Sequence, residues 1–215
     1  MRSALLAATG IAWLIAGCSD TPSVQAPSQE IPAVHPDTAG MKPLAGFEDR
    51  VQRRALALDT TLADHQALRM VLKNEIPGYR LESSESNRFA SPLFSFAEAN
   101  KVFFNAKDDY IELTLGDYVA NPDFFRVNLQ RYNLAQGVEI GGVKEEKRTV
   151  EGLAPSLAKE FFCWSSFNRR KQLAWVFMGM DDRYFLTIEA SGQGDFLDLG
   201  KVKQWLDWDH LYKPS

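Results

Sequence analysis

The chain alternates between stretches with a readable apolar period and short polar breaks. In residues 45–74, Phe47, Val51, Ala55, Leu58, Leu62, Leu68 and Leu72 recur at three- and four-residue steps, apart from one break. That stripe predicts a helix with one buried face, ended by Pro77-Gly78. His65 falls on the same stripe, which suits a packed or rim histidine better than a catalytic one.

The period then changes to two. Residues 102–105 and 110–115 predict strands joined by a turn at residues 106–109, with Ile111, Leu113 and Leu115 on one side and Glu112 and Thr114 on the other. Asn121-Pro122-Asp123 predicts a helix start, with Asn as the cap, Pro at the first helical position and an acid in the first turn. Phe125, Leu129 and Tyr132 give that helix its buried side, out to about residue 133. Residues 138–151 predict a strand with Gly141-Gly142 in the middle, and the charged residues 144–148 suit a sheet edge. Residues 159–167, Leu173–Met180 and Tyr184–Ala190 predict three further strands, with polar turns at residues 168–171 and at Asp181-Asp182. Leu173–Met180 is apolar on both faces, as in a central strand with cover on each side. Asp195 and Asp198 open a last helix carrying Phe196, Leu199, Val202 and Leu206. The expected class is α+β: an antiparallel sheet with N-terminal, middle and C-terminal helices packed on it.

The N-terminal part has a different pattern. An apolar run covers residues 4–16, 13 residues against the about 20 that a membrane-spanning helix needs. With Arg2 ahead of it, the run fits the apolar core of an export signal. Leu14-Ile15-Ala16-Gly17-Cys18 resembles the lipobox of bacterial lipoproteins. The resemblance implies that residues 1–17 are a signal peptide and that Cys18 becomes the new N-terminus and carries the acyl chains, such as palmitate. Ser19 after the cysteine implies sorting to the outer membrane, facing the periplasm, whereas Asp20 stands one place beyond the position that favours inner-membrane retention. Two or more acyl chains hold firmly, at about 0.8 kcal/mol per buried methylene.

Five of the ten prolines, at 22, 27, 32, 36 and 43, fall between residues 19 and 43. With Ser, Gln, Ala and Thr between them, residues 18–43 read as a disordered tether, about 80 Å long when extended. His35 lies inside it and reads as solvated. Residues 44–215 then form a single domain, large enough to bury a core.

That domain's order of elements is similar to PsbP-like domains and to small envelope lipoproteins of that architecture. The similarity rests on Ile76-Pro77-Gly78-Tyr79 after the first helix, Gly152-Leu153 before an aromatic strand, and Arg183-Tyr184-Phe185-Leu186-Thr187-Ile188 before the last helix. It implies binding or assembly, not chemistry.

Charge and composition narrow the function classes. The 24 basic and 28 acidic residues give a net charge of −4. Without residues 1–17 the chain loses Arg2, leaving 23 basic against 28 acidic residues and a charge of −5. That balance argues against a nucleic-acid partner. Two cysteines exclude a disulfide scaffold, and none of the common hydrolase, zinc-protease, phosphate-loop or C-x-x-C motifs occurs. No cofactor or metal is expected.

Each remaining candidate has a plainer reading. Asp108-Asp109 and Asp181-Asp182 sit at expected turns, where aspartate bonds nearby amides. Asp207-Trp208-Asp209-His210 lies at a helix end with no fourth ligand implied. Cys163, among Phe161, Phe162 and Trp164, reads as an inert core thiol with a raised pKa. Arg169-Arg170-Lys171 reads as a solvated hairpin tip and Gly141-Gly142 as a bulge or turn. The aromatic residues Phe162, Trp164, Trp175, Phe177 and Phe185 read as core, although strands apolar on both faces need two layers of cover. One of those layers is then open to a partner or an apolar ligand. The expectation is a non-enzymatic envelope lipoprotein, bound to the membrane through Cys18, that binds a partner protein or small apolar ligand. The alternative is an inhibitor or immunity protein acting on a secreted toxin in the periplasm.

Overall fold

The computed structural model describes residues 46–57, 60–91, 94–148 and 161–211. The described part runs α1 (Phe47–Ala57), α2 (His65–Val71), β1 (Arg80–Ala90), β2 (Ser95–Phe104), β3 (Tyr110–Asp117), α3 (Pro122–Leu134), β4 (Glu139–Ile140), β5 (Val143–Lys147), β6 (Phe161–Asn168), β7 (Leu173–Met180), β8 (Tyr184–Ala190) and α4 (Leu199–Gln204), then a 3₁₀ turn, Trp208–His210. The strands form one antiparallel open sheet in the order β1-β2-β3-β8-β7-β6-β5-β4. The result is a mixed α and β architecture weighted toward sheet. Cys18, His35, the apolar run, the proline-rich stretch and Gly152-Leu153 lie outside the described residues, all of which belong to one compact unit, Thr38–Ser215. No helix among the described residues is long and apolar enough to cross a membrane.

Turn chemistry explains the hairpins. Asp181 and Asp182 both take positive φ, at 53° each, and the Arg183 amide donates to the Met180 carbonyl at 3.0 Å. That is the mirror-image turn whose twist matches paired strands, and Gly141-Gly142 (φ 63° and 85°) makes the same kind of turn between β4 and β5. At residues 105–109 the Asn105 side-chain oxygen accepts from the Lys107 amide at 2.7 Å and the Asp109 amide at 3.0 Å. Both aspartate pairs are therefore turn builders.

Alternation along the strands splits the core in two. One face carries Leu113, Leu115, Val176, Met178, Leu186 and Ile188, in one buried cluster with Leu68 and Val71 of α2 and Val202 of α4. The other carries Phe162, Trp164 and Phe185, clustered with Phe47 of α1, Tyr118 and Phe125 of α3. Each such side chain stabilises the fold by about 1.5–3 kcal/mol through burial. Gly179 allows the second cluster to close, because a Cβ there would run into the Phe162 ring. Ring pairs such as Trp164–Phe177, 4.7 Å between centroids, continue the layer.

Several expectations need correction. The single helix over residues 45–74 is two helices, and residues 60–64 between them are not helical. There the Ala63 amide donates to the Asp117 carboxylate at 2.6 Å, and Asp64 caps α2 by accepting from the Gln66 amide at 3.0 Å. Ala55 is exposed, so α1 buries only the start of its stripe. Asn121 precedes α3 without capping it; its side-chain amide donates to the Ser95 carbonyl instead. The last helix is short, starting at Leu199 behind the Asp198 cap, with Phe196 before it and Leu206 bridged to Leu72. The charged stretch forms β5, second from the edge, while the two-residue β4 is the edge strand itself. β1, polar apart from Leu81 and the Phe89-Ala90 end, is not among the expected strands.

Candidate functional site

The aromatic cluster covers only one end of its face. Lateral register shows what occupies the rest. One row across the sheet reads Glu98, Gly116, Phe185, Gly179, Phe162, and lies under the cluster. The next reads Asn100, Thr114, Thr187, Phe177, Trp164, and the third reads Val102, Glu112, Glu189, Trp175, Ser166. Val102, Glu112, Glu189 and Trp175 are half-buried and belong to neither core cluster. Phe104 and Tyr110 pair beyond them at the sheet's end.

Glu112 and Glu189 stand directly opposite each other on neighbouring strands, an arrangement that costs energy unless donors hold the two carboxylates. Neutral donors hold both. Asn100 Nδ2 donates to Glu112 Oε1 at 2.6 Å and to Thr114 Oγ1 at 3.0 Å. Tyr110 donates its hydroxyl to Glu189 Oε1, and the Trp175 indole N–H donates to Oε2 at 2.9 Å. Glu98 accepts from the Tyr118 hydroxyl at 3.0 Å. Burial pushes the Glu98 carboxyl above its ordinary pKa, the Tyr118 bond pulls it partly back, and Glu112 adds repulsion. Burial and the Glu189 carboxylate together push the Tyr110 hydroxyl well above the usual phenol range. On this face β2, β3, β8 and β7 present Glu98, Glu112 and Glu189 and no lysine or arginine. The surface can attract cations and ring-stacking groups; proton transfer is less suited to Glu189, whose two oxygens are both held by fixed donors.

Other sequence candidates settle elsewhere. His65 opens α2, half-buried, with Nδ1 3.0 Å from Ser86 Oγ. His210 lies in the 3₁₀ turn with Nε2 3.4 Å from Asp207 Oδ2. Asp207 itself accepts from the Asp209 amide at 3.3 Å, a cap for that turn. Cys163 is buried, and burial pushes its thiol up to about 12. Asn168 accepts from the Lys171 amide at 3.0 Å, which shapes the exposed tip at Arg169-Arg170-Lys171. Among the described residues no three His, Cys, Asp or Glu side chains converge as a metal site.

Of the five aromatic residues singled out as core, Phe162, Trp164 and Phe185 are buried and Phe177 lies against them. Trp175 is the exception, bonded to Glu189 on the open half. Sequence reasoning placed Glu112 and Thr114 on the outward side of β3 but missed Glu189 and Asn100. Alternation within β8 carries a signal for Glu189, because Leu186, Ile188 and Ala190 leave it on the other face. A second cleft, of about 480 Å³, lies beside α4, where Ile76, Tyr79, Phe196 and Trp205 meet Asp198 and Lys201. No family model matches the chain, and neither a curated protein nor a solved structure matches it significantly.

Proposed function

We propose that this chain is a non-enzymatic lipoprotein of the bacterial outer membrane, anchored through acylated Cys18, whose tethered periplasmic domain binds a partner protein through the open half of its sheet. The observation that carries the reading is the charge of that half: Glu112 and Glu189 side by side on β3 and β8, with Glu98 in the covered row next to them, and no cation on the same face of β2, β3, β8 or β7. Arg131 of α3 meets the face at the Phe177 ring, beside the aromatic cluster. Complementary charge steers encounter and suppresses wrong partners, so a protein with a basic surface is the occupant that fits. Trp175 and Tyr110 add the aromatic area that concentrates binding energy at interfaces. The cleft beside α4 supports a small apolar ligand less well, because Asp198 and Lys201 line it. The acidic face also favours a second reading, an inhibitor or immunity protein that neutralises a basic toxin.

A photo-crosslinking residue at Thr187, between the two glutamate rows, tests the binding face in intact cells. The expected result is a crosslink to one polypeptide that disappears in a Glu112→Gln, Glu189→Gln double variant. An unchanged crosslink in that variant, or none at all in the wild type, would remove this face from consideration. For the anchor, Cys18→Ser is expected to move the protein out of the membrane fraction. Retention of that variant in membranes after a carbonate wash would refute the lipid attachment.

A further inference from the structure

On the other face of the sheet, β2 carries Ala97, Ala99, Lys101 and Phe103 in alternation. Lys101 is only 3% exposed, a position that a lysine almost never takes unless paired. Its ammonium donates to the Leu72 carbonyl at the end of α2, and to Asn74 Oδ1 at 2.6 Å. Both acceptors are neutral, and an ammonium has three N–H groups to place. The carbonyl end of a helix accounts for one lysine at this point. It does not account for the company that Lys101 keeps. Arg69 stands near enough to repel it, and burial with that repulsion lowers the ammonium to about 8. Arg69, Lys73 and Lys101 form no ion pair with a carboxylate among the described residues. All three line one cleft of about 450 Å³, together with His210, Asn74 and Ser84. That volume falls within the range of small-molecule sites, about 300–1,000 Å³.

Buried charge without a counter-charge is costly, and an anion in the cleft would remove that cost for Lys101 while pairing the half-buried Arg69 and the exposed Lys73 at its rim. We infer that this cleft, between the end of α2 and β2, is a binding site for a small molecule bearing an oxyanion, a phosphate or a carboxylate group. Lys101 meets the oxyanion from the floor, while Arg69 and Lys73 reach it from the α2 side. Asn74 and Ser84 supply neutral polar groups. The site lies on the face opposite the acidic rows, so the domain would hold an anion on one side of its sheet and a cationic partner on the other.

Isothermal titration of the full-length protein with inorganic phosphate, and separately with citrate, at low ionic strength tests this. The expected result is one-to-one binding of at least one of the two. Phosphate alone would mark a phosphorylated ligand, and citrate alone a carboxylated one. A charge-assisted hydrogen bond contributes enough that Arg69→Gln should weaken binding about tenfold or more. Arg170→Gln, at the distant hairpin tip, should leave it unchanged. Lys101→Met is paired with Lys73→Gln, which alters an exposed residue, so that a folding defect in the first leaves the test standing. Absence of binding by both anions, or binding as tight in Arg69→Gln and Lys73→Gln as in the wild type, would overturn the site.

Discussion

Replacing Asp117 with alanine is expected to destabilise the domain by about 3–5 kcal/mol, the range for breaking a buried charge pair from one side. Asp117 ends β3 and is fully buried. Its Oδ2 accepts from the Ala63 amide at 2.6 Å and from Arg183 Nε and Nη2 at 3.1 and 2.8 Å. Its Oδ1 accepts from the Val119 amide at 3.1 Å. One carboxylate thus ties the segment between α1 and α2 to the β7–β8 turn and to the chain leaving β3. Arg183 also donates to the Thr61 carbonyl at 2.8 Å, which closes the same junction. Alanine leaves the Ala63 and Val119 amides without their acceptor and takes from Arg183 the carboxylate that balances its charge.

Urea unfolding should show the loss as a lower midpoint at unchanged slope. Asp117→Asn keeps the shape but removes the charge and turns one acceptor oxygen into an NH2 donor. With the remaining oxygen toward Ala63 and Arg183, that donor faces the Val119 amide and one backbone bond is lost. Arg183 is partly exposed and water can reach it, so this variant should lose about half as much. A cost below about 1 kcal/mol for the alanine variant would contradict the role assigned to this carboxylate, because surface substitutions stay within roughly ±0.5 kcal/mol.

The same residues show what a sequence reader can and cannot see. Leu173–Met180 and Tyr184–Ala190 were expected at the boundaries that the structure shows, because two apolar runs meet at Asp181-Asp182, a pair whose chemistry builds tight turns. β1 is not legible because Arg80–Ala90 carries no apolar alternation, with Leu81 and Phe89 eight residues apart and polar residues between them; pairing with β2 makes it a strand. The start of β2 was hidden for a related reason. Its buried positions hold Ala97, Ala99 and Lys101, too small or too polar to register as an apolar period. The break between α1 and α2 depends on Asp117, more than fifty residues downstream of Ala63, and no local pattern reports that contact. The acidic rows were half legible. Alternation sends Glu112 outward on β3, but its meeting with Glu189 requires β3 to lie beside β8, a pairing across about seventy residues of sequence. The cationic cleft was not legible at all, since it needs α2, β2 and the 3₁₀ turn together.

Cys163 should make the domain sensitive to alkali, and the sign follows from its surroundings. The thiol is 1% exposed, and burial raises its pKa from about 9 to about 12, with Arg148 pulling weakly the other way. Between these values the unfolded chain has released the proton and the folded chain still holds it. The unfolded state therefore gains stability as pH rises, and the thiol's contribution to folding, complete below pH 9, drains away toward pH 12. Each pH unit in that window is worth about 1.4 kcal/mol, or about 3 kcal/mol by pH 11. Lys101 works in the opposite sense, because its lowered pKa means that folding no longer confines a charged ammonium above about pH 8. Comparison of the wild type with Cys163→Ala cancels that contribution and those of the tyrosines other than Tyr132, whose hydroxyl is raised in part by Cys163 itself. At pH 7 the alanine variant should be the less stable by about 1 kcal/mol, for the sulfur lost from the core. By pH 11 the order should reverse, with the variant ahead by about 2 kcal/mol in urea midpoints converted at a common slope. A constant gap from pH 7 to pH 11 would mean that the thiol ionises in the folded protein as it does in water. Cys163 would then be accessible and reactive, not the sealed core residue that its position in β6 describes.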